Sequence, residues 1–311
     1  MCTASNRRSL LTDVYQATNE KGLREVKTNI RTIMLATDFL QSSRLALDYA
    51  ALLARKLDAK IVIVHAFELG PEASTVEAVH HIPSRTRKDA ESRLAAFVAG
   101  VGRAGIAAES ALIEGPVPQA ILKSTEDFHA DLLVLGTQGV HRGLSHLLIG
   151  SNTEALMLRS SCPTLTVGPH VLGGVDLDGT FRSIVYISNL TPHSAKAAPF
   201  AFQLSQLLAR EIEVYQVVKE DETEVEQRLD TYCATMRSLL PEVKEEWCDP
   251  AFQRSKFISP ADVLEKSQDP SILMVFGVEA TPPLQRHLHA SYAYQLLANA
   301  VCPIITVRSE V

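Results

Sequence analysis

Five short apolar runs, each closed by a polar or glycine-bearing break, organise the first half of the chain. They are Thr32 to Ala36 (TIMLA), Lys60 to Ala66 (KIVIVHA), Ala107 to Ile113, Leu132 to Leu135 and Cys162 to Val167. Their length and bounding residues predict strands. The runs are largely apolar at successive positions rather than at alternate ones, the mark of strands covered on both faces. Helical spacing fills the gaps. Ser42 is placed to cap a helix with Leu45, Tyr49, Leu52 and Leu53 on its apolar side. Arg85 to Gly102 reads as a helix with a charged face that includes Arg87, Lys88, Glu91 and Arg93. Gly115-Pro116 opens a helix over Val117 to Phe128, and Asn152 to Arg159 predicts another. Phe67 to about Ser84 reads as a loop carrying Pro71, Pro83, His80 and His81. No third ligand of suitable spacing stands near the two histidines, so no metal site is assigned.

Strands alternating with helices predict a parallel sheet with helices on both faces. Right-handed crossovers put the strand C-terminal ends on one edge, where ligands of open sheets sit. Asp38 ends the first strand, Ala66 the second and Gly136 the fourth, so three separated segments converge there. Asp131 to Ser161 adds a strand, a loop bearing Gly136, Gly139 and Gly150, and a helix. That order lets backbone N–H groups and a helix N-terminus meet a phosphate. Glycine keeps side chains out of the way and accepts positive φ. An ordinary strand-to-helix turn is the other reading of the same glycines.

The second half repeats the first. Ser183 to Ser188 (SIVYIS) matches Thr32 to Thr37, with Asn189 where Asp38 stands and Ser194 following as Ser43 does. Glu211 to Val218, Ser271 to Gly277 and Val301 to Val307 match the second, fourth and fifth runs. Between them, a helix over Glu222 to Leu240 precedes an expected Glu- and Lys-rich strand and Cys248-Asp249-Pro250. An offset of about 140 to 150 residues is a duplicated domain, far longer than a solenoid repeat. The expected organisation is an N-terminal extension (1–29), a first domain (30–168), a Gly- and Pro-bearing linker (169–180) and a second domain (181–311).

Composition narrows the function classes. The chain has 311 residues, 46% of them hydrophobic, and a formal charge of −6. That balance carries no electrostatic footprint for nucleic acid or anionic lipid. No apolar run approaches the roughly 20 residues of a membrane-spanning helix, and the N-terminus has no secretory pattern, so the expected location is cytoplasmic. Five cysteines without CxxC spacing point to neither zinc nor a redox dithiol.

IMLATDF, KIVIVHA, LLVLGTQG…GS and CPTLTV, in that order and duplicated, resemble the universal stress protein family (UspA-like) in its tandem two-domain form. The resemblance covers roughly Asn29 to Gly168 and Phe181 to Val307. It implies two tandem Rossmann-like domains of the adenine nucleotide alpha hydrolase-like type, each a five-stranded parallel sheet with helices on both faces. It also implies an adenine nucleotide as partner: ATP, or AMP or ADP, with Mg2+ accompanying ATP. The implied nucleotide residues are Thr37, Asp38, Ala66 (through its backbone), Gly136, Gly139, Gly150, Ser151 and Asn152. Asp38 would meet the ribose or adenine, and the glycines, Ser151 and Asn152 the phosphates. Ten residues, Val140 to Ile149, separate Gly139 from Gly150, where the family pattern has nine. His141 and Arg142 in that loop would bring positive charge to a γ-phosphate or stand in solvent.

The second copy keeps Gly277 and Ser291 but has Ala280, Ala290 and Asn189 at the other key positions, and Pro282-Pro283 in the loop. It is therefore expected not to bind ATP. The resemblance further implies pairing through the fifth strands, Cys162–Val167 and Cys302–Val307, either within the chain or in a homodimer. The leading reading is a nucleotide-binding stress or signalling protein, and the alternative is an interaction scaffold of the same fold. No Walker lysine, nucleophile elbow or acid/base pair marks a turnover site, so slow ATP hydrolysis is the most that is expected.

Overall fold

The computed structural model describes residues 30–68, 78–137, 150–171, 181–218, 224–240, 245–279 and 292–309. The N-terminal extension, Gly139, His141, Arg142, Pro282, Pro283, Ala280, Ala290 and Ser291 lie outside the described residues. The first repeat runs β1 (Thr32–Ala36), α1 (Gln41–Leu57), β2 (Lys60–Phe67), α2 (Ala78–Arg103), β3 (Ala108–Glu114), α3 (Val117–Asp127), β4 (Leu132–Gly136), α4 (Ser151–Arg159) and β5 (Thr164–Val167). The second runs β6 (Ser183–Ser188), α5 (Pro192–Ala195), α6 (Ala198–Leu207), β7 (Glu211–Val217) and α7 (Val225–Leu239). It continues with α8 (Pro250–Arg254), β8 (Phe257–Ile258), α9 (Pro260–Lys266), β9 (Ile272–Glu279), α10 (Tyr292–Asn299) and β10 (Ile304–Ser309).

Pleat alternation explains why these runs make a covered sheet. Ile33, Leu35, Ile61, Ile63, Leu132 and Val134 turn to one face and join α1 and α2 in one core. Met34, Val62, Val64, Leu133 and Leu135 turn to the other and meet Ile121 of α3 and Leu156 of α4. Helix α1 buries Ala46, Tyr49, Ala50 and Leu53, the one-face spacing of a helix, and stops where Asp58 takes the left-handed conformation. Ser42 does not cap it. The N-cap is Leu40, which makes no side-chain cap bond, and Asp38 supplies the anion ahead of the first turn.

The strands form one sheet in the order β3-β2-β1-β4-β5-β10-β9-β6-β7-β8. Each repeat is parallel within itself, with its first and fourth strands at the centre. The fifth strands pair antiparallel within the chain, Ile305 opposite Leu165. Arg308 Nη1 crosses the seam to the Arg159 carbonyl at the C-terminus of α4 (2.8 Å), where a cation suits the helix dipole. Because the seam is antiparallel, the two sets of strand C-terminal ends lie on opposite edges of the sheet. The core under α1 and α2 continues through Val167 and Phe181 to Leu204 of α6 and Tyr232 of α7.

Two expected elements are corrected. Helix α2 begins at Ala78, before Arg85, and runs through Pro83. Pro83 is the sixth helical residue, so it removes one i→i−4 bond within the second turn, and the helix continues despite it. The Glu- and Lys-rich strand does not form: Glu245–Cys248 is a 3-10 turn, and Asp249 accepts from Ala251 N–H (2.6 Å) and Phe252 N–H (3.3 Å) to start α8. The third strand of that repeat is Phe257–Ile258, paired with Gln216 and Val217.

Glu213 ties β6, β7 and α9 together. It accepts from Ser183 Oγ (2.7 Å) and Tyr215 OH (2.8 Å), with Lys266 Nζ at 3.7 Å. Burial would raise its carboxyl, but these hydrogen bonds, with Lys266 and Arg182, outweigh burial and hold it below the usual 4.5. Its contribution to stability is thus present above pH 4.5 and is lost as pH falls through the lower folded value. In thermal melts Glu213→Gln is expected to be less stable than wild type at about pH 6, with the difference shrinking toward about pH 3. A gap that stays constant with pH would remove this assignment.

Candidate functional site

The first crevice is built on the turn after β1. Phe39 sits at φ 63, a conformation unfavourable for a residue with a Cβ, so the turn needs support. Phe39 N–H donates to Thr37 Oγ1 (2.9 Å), and Asp38 N–H to Ser43 Oγ (3.2 Å). Leu40 N–H (2.9 Å) and the Ser43 hydroxyl (2.5 Å) both donate to Asp38 Oδ1. Asp38 is therefore oriented by its own helix start, and its hydrogen bonds from the described residues fall on Oδ1. Asp38 is itself exposed. Leu40, an exposed apolar side chain, stands beside it.

Ala66 is placed by the sheet. Ile61 N–H donates to Ala107 O (2.8 Å) and Gly115 N–H to Phe67 O (3.0 Å), so the odd-numbered residues of β2 aim their backbone groups at β3. The even-numbered ones face β1, where Thr37 N–H donates to Val64 O (2.9 Å). The β1–β2 register ends at Ala36↔Val64. Ala66 is the next even position, and its N–H and C=O project past the end of β1, over the Asp38 turn.

The two described glycines of the loop differ. A Cβ on Gly136 would stand 2.3 Å from the Ser42 carbonyl, so this glycine lets the start of α1 cross β4. Gly277 has the same relation to α5, with His193 O at 2.8 Å. A Cβ on Gly150 would meet none of the described residues within 4 Å. Gly150 is the N-cap of α4, at φ −61 and ψ 143, without a side-chain cap. Its carbonyl takes Glu154 N–H (3.1 Å), and the N–H groups of the first turn, around the exposed Ser151 and Asn152, have no partner within the helix. The structure thus brings Thr37, Asp38, Ala66 and Gly136 to one sheet edge, and none of the described residues crowds Gly150.

The opposite edge is occupied by protein groups. Asn189 Oδ1 accepts from Thr191 Oγ1 (2.8 Å), and the Asn189 carbonyl is held by Arg228 Nη2 of α7. Glu279, two residues after Gly277, pairs with His193 at 3.7 Å. An acid at that place disfavours a phosphate chain. Of the cysteines, Cys162, Cys233, Cys248 and Cys302 are buried and free. Burial pushes the Cys302 thiol up to about 12 and Cys233 to about 11, which suits packing rather than nucleophilic chemistry.

Two doubly wound five-stranded repeats, fused edge to edge, define a tandem open-sheet α/β protein. The chain belongs to the universal stress protein family, whose family model matches residues 29–168. A universal stress protein of Thermus aquaticus is 30% identical over 138 residues, 44% of this chain and 98% of that protein. One from Methanocaldococcus jannaschii is 26% identical over 139 residues, 81% of its length. The crystal structure of a universal stress protein from Archaeoglobus fulgidus has the same fold over both repeats. It is 15% identical, with a TM-score of 0.65, covering 91% of this chain and 99% of that one. Among the described residues no helix is long and apolar enough to cross a membrane.

Sequence reasoning missed three participants: Ser43 as partner of Asp38, Arg228 over Asn189, and His65, whose Nδ1 lies 2.7 Å from the Thr37 carbonyl. The polar His65 inside the apolar run KIVIVHA was the available signal for the last of these.

Proposed function

We propose that the first repeat binds one adenine nucleotide per chain, ATP or its relatives AMP and ADP, and that the protein serves in a cytoplasmic stress response or signalling. The observation that carries this reading is the contrast between the two edges. The first edge offers the exposed Asp38 carboxylate and the uncapped α4 N-terminus, whereas the second has Asn189 in place of the acid, with its carbonyl taken by Arg228. In this reading Asp38 meets the ribose or adenine and Ala66 reads the base. Gly150, Ser151 and Asn152 hold phosphates at the helix N-terminus, where N–H groups and dipole both favour an anion. Gly139 completes the loop, and Mg2+ accompanies ATP.

Calorimetry with ATP, ADP and AMP, with and without Mg2+, tests it. The expected stoichiometry is one, and Asp38→Ala is expected to weaken binding about tenfold or more, the loss of a charge-assisted hydrogen bond. Lack of binding at millimolar ATP and AMP, with Asp38→Ala indistinguishable from wild type, would end the proposal. A scaffold without nucleotide is the second reading, favoured by the Asn189 edge, where the acid is absent. Mass spectra of natively purified protein separate the two, since bound nucleotide excludes the scaffold alone. A steady-state assay of product release would show at most slow hydrolysis.

A further inference from the structure

His65 departs from the apolar pattern of its strand. Its Nδ1 stands 2.7 Å from the Thr37 carbonyl. A carbonyl only accepts, so Nδ1 carries the proton in either charge state of the ring. The ring also lies against Phe39, with centroids 4.4 Å apart and a tilt of 40°. Phe39 is backed in turn by Phe97 at 5.8 Å and by the Arg93 guanidinium 5.6 Å above its ring. One side chain thus grips the peptide leading into Asp38 and the residue following it. That is the turn in which Phe39 has φ 63.

The second repeat is an internal control. Leu190 has φ 60, and its N–H donates to Ser188 Oγ (3.1 Å), as Phe39 N–H does to Thr37 Oγ1 (2.9 Å). The registers Thr32↔Lys60 and Ser183↔Glu211 put Gln216 at the His65 position. Gln216 Nε2 donates to Gln253 Oε1 (2.8 Å), and the Asn189 carbonyl is gripped from outside by Arg228. The fold therefore makes this turn with glutamine in place of histidine. The histidine bond accompanies the repeat that carries Asp38.

We propose that His65 is a positioning residue of the nucleotide crevice: its Nδ1–H on the Thr37 carbonyl and its ring against Phe39 fix where the Asp38 carboxylate stands relative to the Ala66 backbone. The inference rests on the nucleotide reading above. The lever is short. Tilting the Thr37 peptide moves the Asp38 N–H, which Ser43 Oγ accepts at 3.2 Å, and with it the carboxylate that the same serine holds.

Three measurements on the full chain test it: ATP affinity by calorimetry, amide exchange at Asp38, Phe39 and Leu40 by NMR without nucleotide, and thermal melting. His65→Phe keeps the ring contact and removes the donor. His65→Asn places Nδ2 where Nδ1 stood. The expected result is about tenfold weaker ATP binding and about tenfold faster exchange for His65→Phe, the size of one net hydrogen bond. His65→Asn is expected within about threefold of wild type on both, with melting temperatures of all three close. Should His65→Phe not fold, His65→Gln, the residue of the other repeat, replaces it. Equal affinity and exchange in His65→Phe and wild type overturn the inference, as does His65→Asn being impaired as much as His65→Phe. If wild type binds no nucleotide, the functional reading falls, and the exchange arm alone decides the positioning role.

Discussion

Gly136→Ala is expected to destabilise the first repeat by about 3 kcal/mol, enough to abolish much of an ordinary margin of stability. The new Cβ would lie 2.3 Å from the backbone carbon and oxygen of Ser42 and 2.7 Å from Ser43 N. These are backbone atoms at the start of α1, so relief requires moving the helix rather than a rotamer. Moving α1 drags Ala46, Tyr49 and Leu53 out of a packed core. It also opens the Asp38–Ser43 turn. Gly277→Ala should cost less, about 1–2 kcal/mol, because its nearest contacts are 2.8 and 2.9 Å. Gly150→Ala should cost under about 1 kcal/mol, since its Cβ meets none of the described residues within 4 Å. Urea denaturation followed by circular dichroism checks the ranking. If Gly136→Ala proves as stable as Gly150→Ala, the close crossing of α1 over β4 is wrong. The ranking also separates roles that share one letter in the sequence: Gly136 answers a packing need present in both repeats.

The central strands β1, β4, β6 and β9 were legible because each is apolar over several successive residues, a local property. The candidate edge followed from their order, since Asp38, Ala66 and Gly136 each lie at the C-terminal end of a parallel strand. Pairing of the fifth strands was legible only as two alternatives, and the Ile305–Leu165 register places it within the chain. What was not legible depends on partners far apart in sequence. His65 meets Thr37 across 28 residues, and Arg228 meets Asn189 across 39. His65 stands out in its apolar strand, but neither residue's partner is named until the sheet brings them together. The third strand of the second repeat was misplaced because Phe257–Ile258 is only two residues long, too short for any periodicity. The start of α2 was misplaced because a proline is a stronger signal in sequence than near a helix N-terminus in three dimensions.

Gly150→Asp should separate nucleotide binding from stability in opposite directions. Gly150 already has the extended N-cap conformation, φ −61 and ψ 143, and α4 lacks a side-chain cap. Aspartate is a favoured N-cap, and its charge complements the helix dipole. With none of the described residues within 4 Å of the new Cβ, the variant is expected to gain a few tenths to about 1 kcal/mol from cap and dipole and to melt at or above the wild-type temperature. The same carboxylate would take the first-turn N–H groups assigned to phosphate and stand against its charge. Two like charges about 4 Å apart cost about 1 kcal/mol in water and about 4 kcal/mol near a protein surface. ATP affinity should therefore fall about 100-fold or more, and AMP, with less charge, should lose less. Gly150→Ser provides a cap without the charge and is expected to keep most of the affinity. Calorimetry and melting on the same samples read both effects. A Gly150→Asp protein that stays folded and binds ATP like wild type would move the phosphates away from the α4 N-terminus. One that loses binding while its melting temperature holds or rises leaves the helix start as the anion's seat, because the loss cannot then be charged to unfolding.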